Sequence, residues 1–229
     1  MNDRLLHHAA QGQFINRLMA MAVLLALAFS TLVLSGCSET AIGAEESKWS
    51  LIKKNAMPAG TEARGAIEVP KDVSWKTVLS KKSDKDEALI ISGTVFQSDG
   101  KTPAPNILIY FYHTDSEGYY GRKGEVRDGH FRGWLLTDAK GRYEISTIKP
   151  APYPNRTEAA HIHMTLTGKD FKEDSIDSIL FEGDKFITAK DRDSAGKRGG
   201  FNPILKLDKG PVGILRGVRN IQLAKTSDN

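Results

Sequence analysis

His161-Ile162-His163-Met164-Thr165-Leu166-Thr167-Gly168 alternates polar and apolar residues, and a period of two marks a half-buried strand. In an extended chain successive side chains point to opposite faces. Ile162, Met164 and Leu166 then face a core, and His161 and His163 share the other face, about 6.6 Å apart along the strand. The runs on either side have the same texture. ALIISGTVF at 88–96 is rich in β-branched residues and ends at the turn Ser98-Asp99-Gly100. ILIYFYHTD at 107–115 is bounded by Pro105-Asn106 and Ser116-Glu117-Gly118, and GRYEISTI at 141–148 follows the turn Asp138-Ala139-Lys140-Gly141. DSILFEG at 177–183 and VGILRGVRNIQL at 212–223 continue the series. No segment sustains a 3.6-residue period, so residues 88–225 read as an all-β domain, an antiparallel sandwich or barrel. The stretch 184–210, rich in Lys, Asp, Arg and Gly, reads as a long loop, and a short helix is expected around Trp75 to Leu79.

The 229 residues suffice for one well-cored domain plus extra segments. Composition is that of a globular protein, 40% hydrophobic and 26% charged, and 21 glycines favour a turn-rich fold over a helical bundle. The net charge of +4 is scattered, and the basic pairs Lys53-Lys54 and Lys81-Lys82 are short and have acidic neighbours, which argues against a nucleic-acid partner. Cys37 is the single cysteine, so no intrachain disulfide and no zinc-finger spacing exist.

The position of that cysteine carries information. Arg4 and Arg17 precede an apolar run from Leu18 to Val33, shorter than the roughly 20 residues that span a bilayer. A basic start, a short apolar stretch and then small residues describe a secretory signal over 1–36. It ends in Leu34-Ser35-Gly36-Cys37, which resembles the lipobox of bacterial lipoproteins, in which the cysteine is lipidated. The expectation is a chain anchored to the membrane through lipid on Cys37, and Ser38 favours the outer membrane facing the periplasm. An uncleaved membrane anchor is the competing reading, and both place the domain outside the cytoplasm. Residues 37–60 then form a flexible tether, and 61–87 an irregular extension.

An HxH pair suits zinc, copper, iron or nickel and does not choose among them. No HExxH, no second HxH and no cysteine within the domain adds ligands. Tyrosine is the unusual candidate, because hard anionic oxygen selects trivalent iron. Tyr153 is locked in Pro152-Tyr153-Pro154, where the prolines fix the backbone, and Tyr120 follows Gly118 in the loop after the 107–115 run. His113 and His130 are lone histidines of the kind that usually serve structure, and Arg132 and Trp134 read as strand packing or a pocket wall.

Thr137-Asp138, Gly141-Arg142-Tyr143, Thr147-Ile148-Lys149-Pro150-Ala151-Pro152-Tyr153-Pro154, Ala160-His161-Ile162-His163 and Phe181-Glu182-Gly183-Asp184, in that order and spacing, resemble the core signature of the intradiol ring-cleavage dioxygenases. The resemblance implies a β-sandwich with one Fe(III) per chain held by Tyr120, Tyr153, His161 and His163. It implies cleavage of a catechol-type ring with O2, between the two hydroxylated carbons, to a muconate-type diacid. Tyr153 is then the axial-type ligand that leaves the metal and helps take a proton. Related enzymes associate, so an oligomer is possible.

Three positions depart from the family pattern on the substrate side. Glu158 stands where an arginine is usual, with Arg156 two residues upstream; Ser178 replaces a glutamine; Asn155 replaces an aromatic. A carboxylate beside an anionic substrate is unfavourable. Arg156, Glu158 and Ser178 are therefore candidate substrate-binding residues. Two competing readings follow: a non-catalytic, lipid-anchored β-sandwich that binds a metal, an aromatic ligand or a protein partner, and a zinc or copper protein built on the same histidines.

Overall fold

The β-branched run at 88–96 becomes β2 (Ala88–Phe96), the spine of the first sheet. Leu89, Ile91 and Val95 are fully buried on its inward face. The structure is a computed structural model and describes residues 43, 48–57, 65–80, 83, 85–121 and 128–225. The expected signal segment 1–36, Cys37 and most of the expected tether lie outside the described residues. No helix among the described residues is long and apolar enough to cross a membrane.

Around β2 stand β1 (Lys76–Val78), β5 (Arg142–Ile148), β10 (Asp208–Lys209) and β11 (Leu215–Val218), in the order β1-β5-β2-β11-β10, with β12 (Ile221–Gln222) also paired to β2. The second sheet orders β4 (Phe131–Leu136), β3 (Leu108–His113), β6 (His161–Gly168), β8 (Ile179–Phe181) and β9 (Ile204–Leu205), and β7 (Phe171–Ser175) adds to β6. The long pairings β2–β5, β3–β4 and β3–β6 are antiparallel, and the short ones β1–β5, β2–β11, β2–β12 and β8–β9 are parallel. Inward side chains of both sheets make one apolar core, with Ile91, Tyr143 and Ile145 facing Ile109, Phe111, Ile162, Met164 and Leu166. The fold is thus the expected all-β sandwich. Truncating a fully buried residue such as Leu166 to alanine costs on the order of 2–5 kcal/mol.

Four segments differ from the sequence expectation. Trp75–Leu79 is not helical: Lys76–Val78 pairs in parallel with Glu144–Ser146, and Leu79 N–H donates to the Ser146 carbonyl at 2.7 Å. The edge of β5 supplies hydrogen bonds that an isolated helical turn lacks. The stretch 184–210 is not one loop, since it carries a short helix (Ala189–Ser194) and β9 and β10. Thr188 and Asp191 close a capping box at the start of that helix. The end of the expected tether is docked. Ile52 is buried, and Asn55 Nδ2 donates to the carbonyls of Gly168 and Lys169 at 2.8 Å, pinning the β6–β7 hairpin. Finally, the run 212–223 breaks into two strands at Arg219-Asn220. Arg219 is buried there and donates from Nη1 to the carbonyls of Gly200, Phe201 and Asn220.

Candidate metal centre

The face of β3 and β6 that turns away from the core carries Tyr110, Tyr112, His161 and His163. Tyr112 and His163 are directly opposed in the register, so the histidine pair sits in the middle of the sheet with aromatic rings beside it. Two loops bring tyrosines to it. Thr114–Tyr120 leaves β3 as a tight loop: Asp115 Oδ1 accepts from Glu117 N–H and Tyr119 N–H at 2.9 Å each. Pro150–Pro154 leaves β5 and is stitched to the first loop, since Ala151 N–H donates to the Asp115 carbonyl at 3.0 Å and Thr114 Oγ1 to the Ala151 carbonyl at 2.7 Å. Gly118 makes this approach feasible. Its φ is +87°, and a Cβ there would lie 2.2 Å from the Pro152 carbonyl oxygen.

The outcome is a chain of four donor atoms. Tyr120 Oη and Tyr153 Oη are 2.6 Å apart, Tyr153 Oη and His161 Nε2 3.2 Å, and His161 Nε2 and His163 Nε2 3.0 Å. Tyr119, the neighbour one register step away, is 53% exposed and points elsewhere. His161 Nδ1 lies 2.7 Å from the Ala159 carbonyl, which can only accept, so the proton is on Nδ1 and Nε2 presents a lone pair inward. His163 Nδ1 lies 3.3 Å from Ser178 Oγ. Immediately before His161, Ala160 N–H donates to Asp184 Oδ2 at 2.9 Å, which fixes the start of the strand.

Burial sets the protonation of these groups. It pushes the Tyr120 phenol well above the ordinary value of 10, helped by the Tyr153 hydroxyl. It pulls His163 down to about 3, with the neighbouring His161 acting in the same direction. Both shifts favour the neutral form, a protonated Tyr120 phenol and an uncharged His163 imidazole. The donor set fits a hard trivalent cation: two phenols that a positive charge would ionise and two neutral imidazoles oriented from behind. Among the described residues, no group of three or more His, Cys, Asp or Glu side chains offers a competing metal site.

A cavity of about 680 Å³ opens over these donors. Arg156, Glu158 and Ser178 line it, as do Tyr112, Asp128, Phe186 and Asp191. Arg156 and Glu158 stand at the exposed mouth, Nη1 to Oε2 3.9 Å, and the Arg156 guanidinium lies 5.4 Å from the Tyr153 ring centre. His113 and His130 are not at the site. His113 is fully buried and bridges the sheets, with Nδ1 2.7 Å from the Thr114 carbonyl and Nε2 2.8 Å from Thr147 Oγ1 on β5. Arg132 pairs with Glu68 at 2.7 Å, and Trp134 Nε1 donates to the Gly65 carbonyl at 2.7 Å, so both serve packing of the 65–68 segment. Tyr112 and Asp128 were not singled out from sequence. Tyr112 shares the alternation of β3 with Tyr110 and was legible in principle. Asp128, 8% exposed and bonded by Tyr110 Oη at 2.6 Å, arrives by tertiary packing.

A family model described as dioxygenase matches residues 70–202. The beta chain of protocatechuate 3,4-dioxygenase from Burkholderia cepacia is 31% identical over 123 residues, covering 49% of this chain and 52% of that one. Catechol 1,2-dioxygenase from Acinetobacter baylyi is 32% identical over 106 residues, 44% of this chain and 33% of that one. The chain therefore spans about half the length of the first relative and a third of the second. Among solved structures, catechol 1,2-dioxygenase from Acinetobacter radioresistens shares the fold with a TM-score of 0.56 at 18% identity, over 70% of this chain and 59% of that one. The chain belongs to the intradiol ring-cleavage dioxygenase family.

Proposed function

We propose that the chain is a non-haem Fe(III)-dependent intradiol dioxygenase that cleaves a catechol-type aromatic ring with O2 to a muconate-type diacid. The convergence of Tyr120, Tyr153, His161 and His163 on one point carries this reading. Ferric iron, when bound, supplies a Lewis-acid centre that draws electron density from a chelated diol. The protein supplies the rest. His161 keeps its Nε2 bare because its Nδ1 donates to the Ala159 carbonyl, and His163 has the Ser178 hydroxyl behind its Nδ1. Tyr153 Oη, between Tyr120 Oη and His161 Nε2, would hold the cation as a phenolate, and in that ionised form it would take one of the two hydroxyl protons of the diol and become a neutral phenol. Pro152 and Pro154 restrain the backbone that carries it. Arg156 supplies positive charge at the mouth where Glu158 replaces the usual arginine.

Iron loading tests the reading directly. The Fe(III) protein is expected to be red to burgundy from phenolate-to-iron charge transfer and to consume O2 with members of a catechol panel, releasing a ring-opened diacid. A colourless preparation holding stoichiometric zinc would sink it. Glu158 and Ser178 keep the binding-only alternative in view, and a coloured, fully loaded protein that consumes no O2 with any catechol would favour that alternative.

We also infer, from Leu34-Ser35-Gly36-Cys37, that the domain works in the cell envelope, anchored by lipid on Cys37. Cys37→Ala is expected to move the protein from the detergent phase to the aqueous phase. An unchanged partition would exclude the lipid anchor.

A further inference from the structure

Ser178 stands on the pocket wall one residue before β8, with its Oγ 3.3 Å from His163 Nδ1. The backbone on both sides of it is fastened. Asp177 N–H donates to the Arg198 carbonyl at 3.0 Å, and Asp177 Oδ2 accepts from Arg198 N–H at 3.1 Å. Ile179 pairs with Ile162, and Leu180 N–H donates to the Pro203 carbonyl at 3.0 Å. The hydroxyl thus has a fixed base and one rotatable bond.

His163 needs such a partner more than His161 does. The Ala159 carbonyl can only accept, so it sets the tautomer of His161 unaided. For His163, stacking on Tyr112 fixes the ring plane, with centroids 4.6 Å apart and planes 22° from parallel. Stacking does not decide whether Nε2 or Cε1 faces inward, because a half-turn of the ring exchanges the two and leaves the plane unchanged. The group behind Nδ1 makes that choice.

We propose that Ser178 is a positioning residue for the metal centre: its Oγ accepts the Nδ1 proton of His163 and so keeps Nε2 bare and aimed at the other three donors. It influences a bound diol through His163 rather than by touching it. The proposal rests on the ferric reading above and assigns to a short hydroxyl the orienting task that a backbone carbonyl performs for His161.

The test uses the full chain as wild type, Ser178→Ala and Ser178→Thr. Ferric affinity is measured by competition with citrate, the phenolate-to-iron band by visible spectroscopy, and the unfolding temperature on the iron-free proteins. Ser178→Ala is expected to lower ferric affinity by about tenfold or more and to shift the band, while Ser178→Thr restores both. If Ser178→Ala is too unstable to assay, Ser178→Thr decides: wild-type affinity and band support the role, and a stable threonine variant with weakened affinity overturns it. Alanine and wild-type proteins of equal affinity and identical band also overturn it. A wild-type chain with no phenolate-to-iron band fails the ferric reading itself, which separates the two outcomes.

Discussion

Tyr112 lies face-on against His163, its ring 4.6 Å away and 22° from parallel, and the same tyrosine stands 5.7 Å from the ring of Tyr120. One side chain on β3 therefore buttresses two of the four donors, one from its own sheet and one from a loop. Tyr112→Leu keeps bulk and removes the flat contact. The expected cost is about 1 kcal/mol of stability, read from denaturant unfolding of the iron-free protein. The phenolate-to-iron band should broaden in the loaded form.

Tyr153→Phe tests the proton-accepting donor. The phenyl ring keeps the packing against His161 and the cation–π contact with Arg156 but lacks Oη. Turnover is expected to fall by on the order of 10²–10⁴-fold, the usual worth of a placed proton acceptor. The colour should shift as well, and an unchanged spectrum would show that another tyrosine holds the metal.

Gly118→Ala probes the seam between the two tyrosine loops. A methyl group at φ +87° would meet the Pro152 carbonyl and Pro154 Cδ, at 2.2 and 2.8 Å. The loops must part, at a cost on the order of 1–3 kcal/mol. Because Tyr120 and Tyr153 ride on opposite sides of the seam, ferric affinity should fall together with the unfolding temperature. Loss of stability with undiminished iron affinity would show that the donors do not depend on this contact.

His113 predicts a pH dependence of the iron-free fold. Burial between the sheets lowers it from 6.5 to about 4. Between those values the unfolded chain takes up a proton that the folded protein refuses, so stability falls as pH drops from 6.5 towards 4 and is fully present above 6.5. The contribution is about 3 kcal/mol at most. His113→Gln should be less stable than wild type at neutral pH and should show a shallower loss across this window in denaturant titrations. Parallel curves for the two proteins would rule the histidine out as the cause.

The strands that make the sandwich were legible where alternation was regular, as in Ala88–Phe96, Arg142–Ile148 and His161–Gly168. β4 was obscured by Gly133. A Cβ at that position would meet the Phe111 ring at 2.8 Å, so the glycine that blurs the strand pattern is demanded by core packing across the sheet. β7, Phe-Lys-Glu-Asp-Ser, is a polar strand at the margin of its sheet and carries no apolar signal of its own. Trp75–Leu79 looked helical because local sequence does not reveal the edge of β5 that captures it. At the site, the histidines were legible from strand period and Tyr153 from its prolines. The meeting of Tyr112 with His163 depends on the register between β3 and β6, and the place of Asp128 on its contact with Tyr110, neither of which is written locally.

β3 and β6 carry the interior of the sandwich on one side and the four-donor pocket with its aromatic walls on the other. Each strand thus serves stability and chemistry through alternate residues. Changes in Glu158 or the 186–191 wall leave the packed face untouched, so the pocket mouth can be altered residue by residue without drawing on the stability of the core.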